Sequence, residues 1–368
     1  MPQELGPSAH CLHFSPVSCW SSCDDDHPGW ITSDWDLSTP LCWRLSRLDP
    51  DGRQRIPTQD QLKLLNFLGI EDPDQWRQSW VKHYTNLGLD AWHPNSSADW
   101  FWSIGLPILT LARSQTGTKR LIGLSALPGC GKSSLGHWLE AASRNLGLSL
   151  QVVSIDDFYF PAEQLEQSML GNPWGVPRAL PGSHDLNLLK VSLERWRNGE
   201  NVQFPCFDKA LRHGRGDRSG WRVCEADLLV LEGWFVGCEA RYDPTVAESQ
   251  LVPTITSDEM AYRQRTEKIL RSYQPIWAEL DQLWQLRATD PQSPQIWKRQ
   301  QENAMRMSRG SSLNGDDLDG FIRMILSAIP SEILNRLPAD VVLDVDPSRE
   351  LTRIHLNPAL KTQRRPLR

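Results

Sequence analysis

Residues 120–134 read Arg120-Leu-Ile-Gly-Leu-Ser-Ala-Leu-Pro-Gly-Cys-Gly-Lys-Ser-Ser134, an apolar strand running directly into a glycine-bearing turn that ends in Gly131-Lys132-Ser133. Backbone N–H groups of such a turn, together with the N-terminus of the next helix, make a concave positive site for a nucleotide phosphate. The spacing puts Lys132 at the β- and γ-phosphates and the Ser133 hydroxyl on Mg²⁺. Gly129, Cys130, Gly131, Lys132, Ser133 and Ser134 are therefore the expected nucleotide-binding residues. Ala126 stands where the pattern has its first glycine, and it is small enough to leave the turn feasible. The flanks agree: Leu121 to Leu124 read as a buried strand, and Leu135, Trp138, Leu139, Ala142 and Leu146 recur at helical spacing until Gly147.

The chain has 368 residues, enough for one α/β domain and a smaller partner. Its net charge is −6 and its basic residues are scattered, which argues against a nucleic-acid partner. No stretch approaches the roughly 18 uninterrupted apolar residues of a membrane span, and no basic start leading into an apolar run opens the sequence. A cytoplasmic, monomeric chain without a membrane partner is expected, with its eight cysteines as reduced thiols. His10, Cys11, His13, Cys19, Cys23 and His27 lie close together, but no second paired knuckle stands at a zinc-finger distance.

Nine of the seventeen tryptophans fall in residues 1–102. This density, with helical periodicity over Gln59 to Leu68 and Asp74 to Asn86, predicts a small helical module at 56–115 after a weakly ordered segment at 1–55. The apolar run Trp100 to Leu111 reads as a buried helix leading onward. From 116 to 368 the pattern alternates strand and helix, as a parallel sheet with helices on both faces requires. The strands are expected at Leu121 to Leu124, Leu150 to Ile155, Leu228 to Leu231, Gln282 to Leu286 and Val341 to Val345. Ligands of such sheets bind at the carboxyl ends of the strands.

Charged residues cluster just past those strand ends. Val153-Ser-Ile-Asp-Asp-Phe-Tyr-Phe160 offers Asp156 as a base that takes the proton of an attacking hydroxyl. Asp157 is then either a metal ligand or supporting partner beside it, or a helix cap. Ala226-Asp-Leu-Leu-Val-Leu-Glu-Gly-Trp234 carries Glu232 at its tip, where one carboxylate with Ser133 suffices for Mg²⁺. Gly233 leaves room for close approach and Trp234 is placed to wall a pocket. Pro181 to Leu186 and Pro205 to Arg218 read as loops, the second with Lys209, Arg215 and Arg218. Guanidinium forks suit an anionic acceptor, and Arg215 or Arg218 is the expected holder of its carboxylate. Asp185 doubles as a candidate cap for the helix marked by Leu186, Leu189, Leu193 and Trp196.

The ordered set GLSALPGCGKSS, SIDDFY, PGSHDL, FDKALRHGRGDR, LEGW and ENAMR resembles the plant and cyanobacterial type of D-glycerate 3-kinase, itself similar to phosphoribulokinase, uridine kinase and pantothenate kinase. The likeness covers about residues 119–346 and leaves the N-terminal hundred outside. It implies a P-loop NTPase-type fold, ATP and Mg²⁺ as cofactors, and D-glycerate as the small-molecule acceptor. It implies Asp156 as base and an acceptor pocket lined by the two loops, with His184 and Asp185 on one and Lys209, Arg215 and Arg218 on the other. It also implies a lid over Gln295 to Arg309, where Arg299, Arg306 and Arg309 lie and Arg306 is the first choice to reach the transferred phosphate. The phosphate loop alone does not separate glycerate from pantothenate, uridine or ribulose 5-phosphate; PGSHDL and GRGDR do. Guanine-specificity and transporter signatures are missing. Arg215-Gly-Asp217 spells an adhesion tripeptide, which is frequent by chance.

Overall fold

The computed structural model describes residues 56, 58–83, 87, 97–114, 117–240, 253–310, 313 and 315–361. Expectations for 1–55, including the cysteine and histidine cluster, lie outside the described residues. Those described belong to the compact unit Leu41–Arg368.

Two helices come first, α1 (Thr58–Phe67) and α2 (Pro73–Lys82). The Asp72 side chain caps α2 by accepting from the Gln75 N–H, and Pro73 takes the first helical position, where no N–H is needed. The apolar run read as one buried helix is three segments: a turn at Ala98–Trp100, a wide π-helical turn at Phe101–Gly105 and α3 (Leu106–Arg113). Close packing accompanies the wide turn, since a Cβ at Gly105 would lie 2.5 Å from the ring of Trp138.

The alternating part runs β1 (Arg120–Ala126), α4 (Lys132–Asn145), β2 (Leu150–Ser154), α5 (Ala162–Ser168), α6 (Leu186–Arg197), β3 (Val202–Asp208), β4 (Asp217–Cys224), β5 (Leu228–Gly233), α7 (Ser257–Leu270), β6 (Gln282–Ala288), α8 (Ser293–Arg309), α9 (Gly315–Ser327), β7 (Val341–Val345) and β8 (Leu351–Leu356). All five predicted strands are present. They form one sheet in the order β2-β5-β1-β6-β7-β8, parallel except for the antiparallel edge strand β8. Every residue of β1 and β5 is buried, as continuous apolar runs in a sheet covered on both faces should be.

One sequence expectation is corrected. The stretch 205–218 is not a plain loop, because its two ends are strands of an antiparallel hairpin, β3 and β4, that stands apart from the main sheet. Its charged side chains mislead because a two-stranded ribbon buries one face only: Val202 and Phe204 point inward, whereas Gln203, Trp221 and Val223 are exposed. A register shift between Cys206 and Phe207 also breaks the alternation.

Side chains from the two faces of the sheet enter two cores. Leu121, Leu229, Leu231 and Leu283 pack with Phe204 and Trp196. Ile122, Leu124, Val230, Trp284 and Leu343 pack instead with Leu64, Trp76, Trp80, Trp100 and Leu109 of the N-terminal helices. The indoles of Trp76 and Trp80 both donate to Thr110 Oγ1, at 2.8 and 3.2 Å, so burying them leaves no polar N–H unpaired. Truncating the 2 % exposed Trp80 to Ala should therefore cost about 3–5 kcal/mol in urea unfolding. Trp221→Ala, at a 54 % exposed position, should stay within about 0.5 kcal/mol; equal losses at the two sites would contradict this account of the core.

Candidate active site

The carboxyl ends of β1, β5 and β2 lie side by side, with Glu232 in register between Leu124 on one side and Ser154 on the other. Strand β5 thus separates the phosphate loop from the Asp156 turn, and its acidic tip faces both.

The phosphate loop, residues 127–131, joins β1 to α4. Gly129 and Gly131 have φ of +79° and +115°, a conformation in which a side chain is strained. At Gly129 there is a second constraint, since an added Cβ would lie 2.7 Å from the backbone carbon of Trp297 on α8. Lys132 Nζ donates to the carbonyl of Ala126 at 2.7 Å and stands 4.0 Å from Glu232. Ser133 and Ser134 lie on the first turn of α4, both exposed. Cys130 is fully buried, and burial pushes its thiol up to about 12, so it is an inert packing residue.

Arg349, in the turn between β7 and β8, carries no sequence signal of a role. It adopts φ +64°, donates through Nε to the Gly129 carbonyl at 2.8 Å and lies over the ring of Trp297. Trp100 donates to the Arg349 carbonyl, and Trp297 donates to the Pro347 carbonyl, each at 2.8 Å. The loop is therefore held from below by α8, by the β7–β8 turn and by the N-terminal helices.

On the other side of Glu232, Ser154 and Asp157 cap the short helical turn Ile155–Phe158 reciprocally. Asp157 also accepts the Phe207 N–H at 3.2 Å, which fastens the turn to β3. Burial raises its carboxyl to about 6 despite these bonds. Both sequence readings of Asp157 meet here: it is a cap, and it lies beside the site.

Asp156 is the hub. Its Oδ1 accepts from Tyr159 at 2.7 Å, its Oδ2 takes Lys209 Nζ at 2.6 Å, and His184 Nε2 lies 3.9 Å away. Burial alone would raise its carboxyl, but the Lys209 ammonium and His184 outweigh it and hold Asp156 well below the usual carboxylate range. His184 is buried against the stacked ring of Tyr159, and burial lowers its pKa, so the imidazole is neutral at pH 7. Its Nδ1 lies 2.8 Å from the Tyr273 hydroxyl, which already accepts from Gly182 N. Its Nε2 faces Asp156 at 3.9 Å, beyond hydrogen-bond distance.

The remaining predicted residues have defined partners. Asp185 caps α6 by accepting from Leu188 N at 3.0 Å, and its other oxygen meets Arg218 Nη2 at 3.3 Å. Arg218 Nε also donates to the Tyr159 carbonyl. Arg215 is half exposed and faces Glu166 at 3.4 Å, a carboxylate it shares with Arg212. Trp234 is buried and donates to the Ala179 carbonyl at 2.8 Å, so it is a wall of the core behind the site. Gly233 makes room for protein rather than ligand, since a Cβ there would meet Ile155 at 2.5 Å.

Helix α8 spans the region expected to be a lid. Arg299 pairs with Asp319 of α9 at 2.7 Å, Arg306 is exposed near the C-terminal end, and the side chain of Arg309 lies outside the described residues. Arg178 is the second residue that sequence reasoning missed: a buried guanidinium that donates through Nη1 to the carbonyls of Gly214 and Arg215. Its only signal is one cation in the apolar run Val176-Pro-Arg-Ala-Leu-Pro181 just before the His184 loop.

This geometry has relatives. The chain is 30 % identical over 244 residues to the chloroplastic D-glycerate 3-kinase of Arabidopsis thaliana, covering 63 % of this chain and 51 % of that protein. It thus spans about half that relative's length. It is 29 % identical over 217 residues to the uncharacterized kinase mug58 of Schizosaccharomyces pombe, covering 56 % of this chain and 78 % of that one. Among solved structures, a D-glycerate 3-kinase from Cryptococcus neoformans superposes with a TM-score of 0.57 at 23 % identity, over 68 % of this chain and 96 % of that one. No family model matches the chain. Phosphate loop and sheet give the fold of the P-loop small-molecule kinases, and in sequence the chain is similar to the D-glycerate 3-kinases.

Proposed function

We propose that the protein transfers the γ-phosphoryl group of MgATP to the terminal hydroxyl of D-glycerate, giving ADP and 3-phosphoglycerate. The observation that carries this reading is the placement of Asp156. A partly buried, ionised carboxylate sits one strand beyond Glu232 and two beyond the phosphate loop, beside the cations Lys209, Arg218 and Arg178. Such surroundings suit a hydroxylated acid better than a neutral nucleoside. The similarity in sequence to the Arabidopsis D-glycerate 3-kinase supports the same acceptor.

In this reading Asp156 accepts the proton of the attacking hydroxyl, and the Tyr159 hydroxyl and the Lys209 ammonium keep its oxygens oriented. Lys132 leaves the Ala126 carbonyl for the β- and γ-phosphate oxygens, where it offsets the charge that builds toward the leaving group. The Ser133 hydroxyl and Glu232 carboxylate would hold Mg²⁺, a fit supported by a hydroxyl and a buried acid flanking the same lysine. Among the described residues no cluster of three or more acidic, histidine or cysteine ligands occurs, and magnesium asks for only one or two carboxylates because it keeps its waters. Bound there, it neutralises charge across the phosphates. His184, Asp185, Lys209 and Arg218 border the acceptor, with Asp157 and Trp234 supporting them and Arg215 at the rim. Closure of α8 about its anchored base at Trp297 brings Arg306 toward the transferred phosphate.

Purified protein with MgATP should phosphorylate D-glycerate in preference to L-glycerate, pantothenate and uridine, and product analysis should find the 3-phosphate. Lys132→Ala should lower turnover by at least about 10³-fold. Turnover of uridine or pantothenate with no glycerate activity would leave the kinase fold standing and reject the acceptor.

The acidic limb of kcat/KM carries a second expectation. Because Lys209 depresses Asp156, the base stays charged as pH falls and loses activity only well below the ordinary carboxylate range. Lys209→Met leaves burial as the larger influence, so the limb should move to higher pH by about 1 unit or more. An unmoved limb would mean that Lys209 does not tune the base.

A further inference from the structure

Three cations stand near Asp156, and two of them are already neutralised. Lys209 pairs with Asp156 itself, and Arg218 with Asp185. Arg178 is different: it is 4 % exposed, yet among the described residues it has no carboxylate within 4.0 Å. Its contacts are two neutral carbonyls, Gly214 at 2.6 Å and Arg215 at 2.9 Å, both made by Nη1. A buried cation left without an anion is costly, and proteins keep one where a ligand supplies the missing charge.

The geometry of the guanidinium says which edge is available. With Nη1 committed to the 214–215 backbone, Nε–H and Nη2–H remain, and these two point the same way as a side-on fork of the shape a carboxylate fills. Neither atom belongs to the sealed, unpartnered side-chain atoms of the described residues. Arg178 also lies within electrostatic reach of Tyr159, Asp156 and Glu302, though it pairs with none of them. The same side chain anchors the loop that carries Arg215, so carboxylate capture and loop position are joined in one residue.

We propose that Arg178, rather than Arg215 or Arg218, binds the carboxylate of the acceptor through its Nε/Nη2 edge and so makes the site selective for small hydroxy acids over their neutral analogues. This assignment rests on the proposed glycerate kinase reading. Arg218 is occupied by Asp185 and the Tyr159 carbonyl, and Arg215 shares Glu166 at the half-exposed rim. Neither offers a desolvated fork, and charge-assisted bonds gain most where water is excluded.

The test compares D-glycerate with glyceramide, which keeps both hydroxyls and loses the negative charge. Arg178→Lys retains a cation and a donor for the loop carbonyls but lacks the fork. In that variant KM for D-glycerate should rise about tenfold to a hundredfold while the binding of MgATP is unchanged. The ratio of kcat/KM for glycerate over glyceramide should fall by a similar factor. If Arg178 only fastens the loop, both acceptors decline together, and a preserved ratio overturns the assignment. Arg218→Lys serves as the comparison and should leave the ratio as it is; a fall there instead of at Arg178 also overturns it. A measurement on the unmodified chain covers the case of a variant that does not fold. D-Lactate, which has the carboxylate without the terminal hydroxyl, should compete with D-glycerate, and lactamide should not; equal weakness of the two contradicts a carboxylate fork. Turnover of uridine with no carboxylate acceptor overturns the functional reading and this assignment together, whereas glycerate turnover with an unchanged ratio in Arg178→Lys overturns the assignment alone.

Discussion

The 2.6 Å contact between Asp156 and Lys209 ties the end of a sheet strand to a hairpin that does not belong to the sheet. Everything on the acceptor side of the molecule is arranged around that contact. Strand β2 delivers Asp156, the β3–β4 ribbon delivers Lys209, and the loop before α6 delivers His184. Each is secured by bonds of its own: Asp157 to Phe207 N, Arg222 to Glu140, and Tyr273 to Gly182 N. Burial raises a carboxyl's pKa, and a neighbouring cation lowers it. The ion pair therefore bears on the chemistry as well as the packing, because it holds Asp156 below the usual carboxylate range against the effect of burial.

The nucleotide side obeys a different constraint, which is steric. The phosphate loop lies so close to the backbone of Trp297 that only a glycine fits at 129, and Arg349 holds the same residue's carbonyl from the β7–β8 turn. Trp100 then holds Arg349. The N-terminal helices share a core with β1, β6 and β7 and reach the underside of the phosphate loop through this one indole. They lie outside the kinase resemblance, yet they are part of what makes that loop rigid. Rigidity matters there because preorganised N–H groups act on developing charge without having to reorient.

Much of the fold was legible because β1 and β5, buried along their whole length, are mostly apolar runs, and the other parallel strands carry shorter apolar stretches. The phosphate loop, the Asp185 cap and the acid at the end of β5 were legible for the same reason: each is a local pattern with a local cause. The features that sequence could not reveal depend on contacts across the chain. The β3–β4 ribbon hides its alternation behind the charged turn at 209–216 and a register shift at Cys206. Arg178 is one cation without a periodic partner, and its meaning lies in two carbonyls 36 and 37 positions away. Arg349 reaches Gly129 across 220 positions, and no spacing rule could have joined them. Asp156 and Asp157 are adjacent candidates that sequence alone leaves unseparated; their different surroundings separate them, one paired with a cation and the other bonded to backbone N–H groups.

The central claim is that Asp156 acts as a base on the acceptor and not as a nucleotide ligand. Single-turnover phosphoryl transfer from MgATP to D-glycerate in Asp156→Asn tests it most directly, with MgATP affinity and thermal stability measured on the same preparation. The account predicts a chemical step slowed by roughly 10²- to 10⁴-fold with nucleotide binding unchanged. A step of normal rate, or a loss explained entirely by weaker MgATP binding, would contradict it.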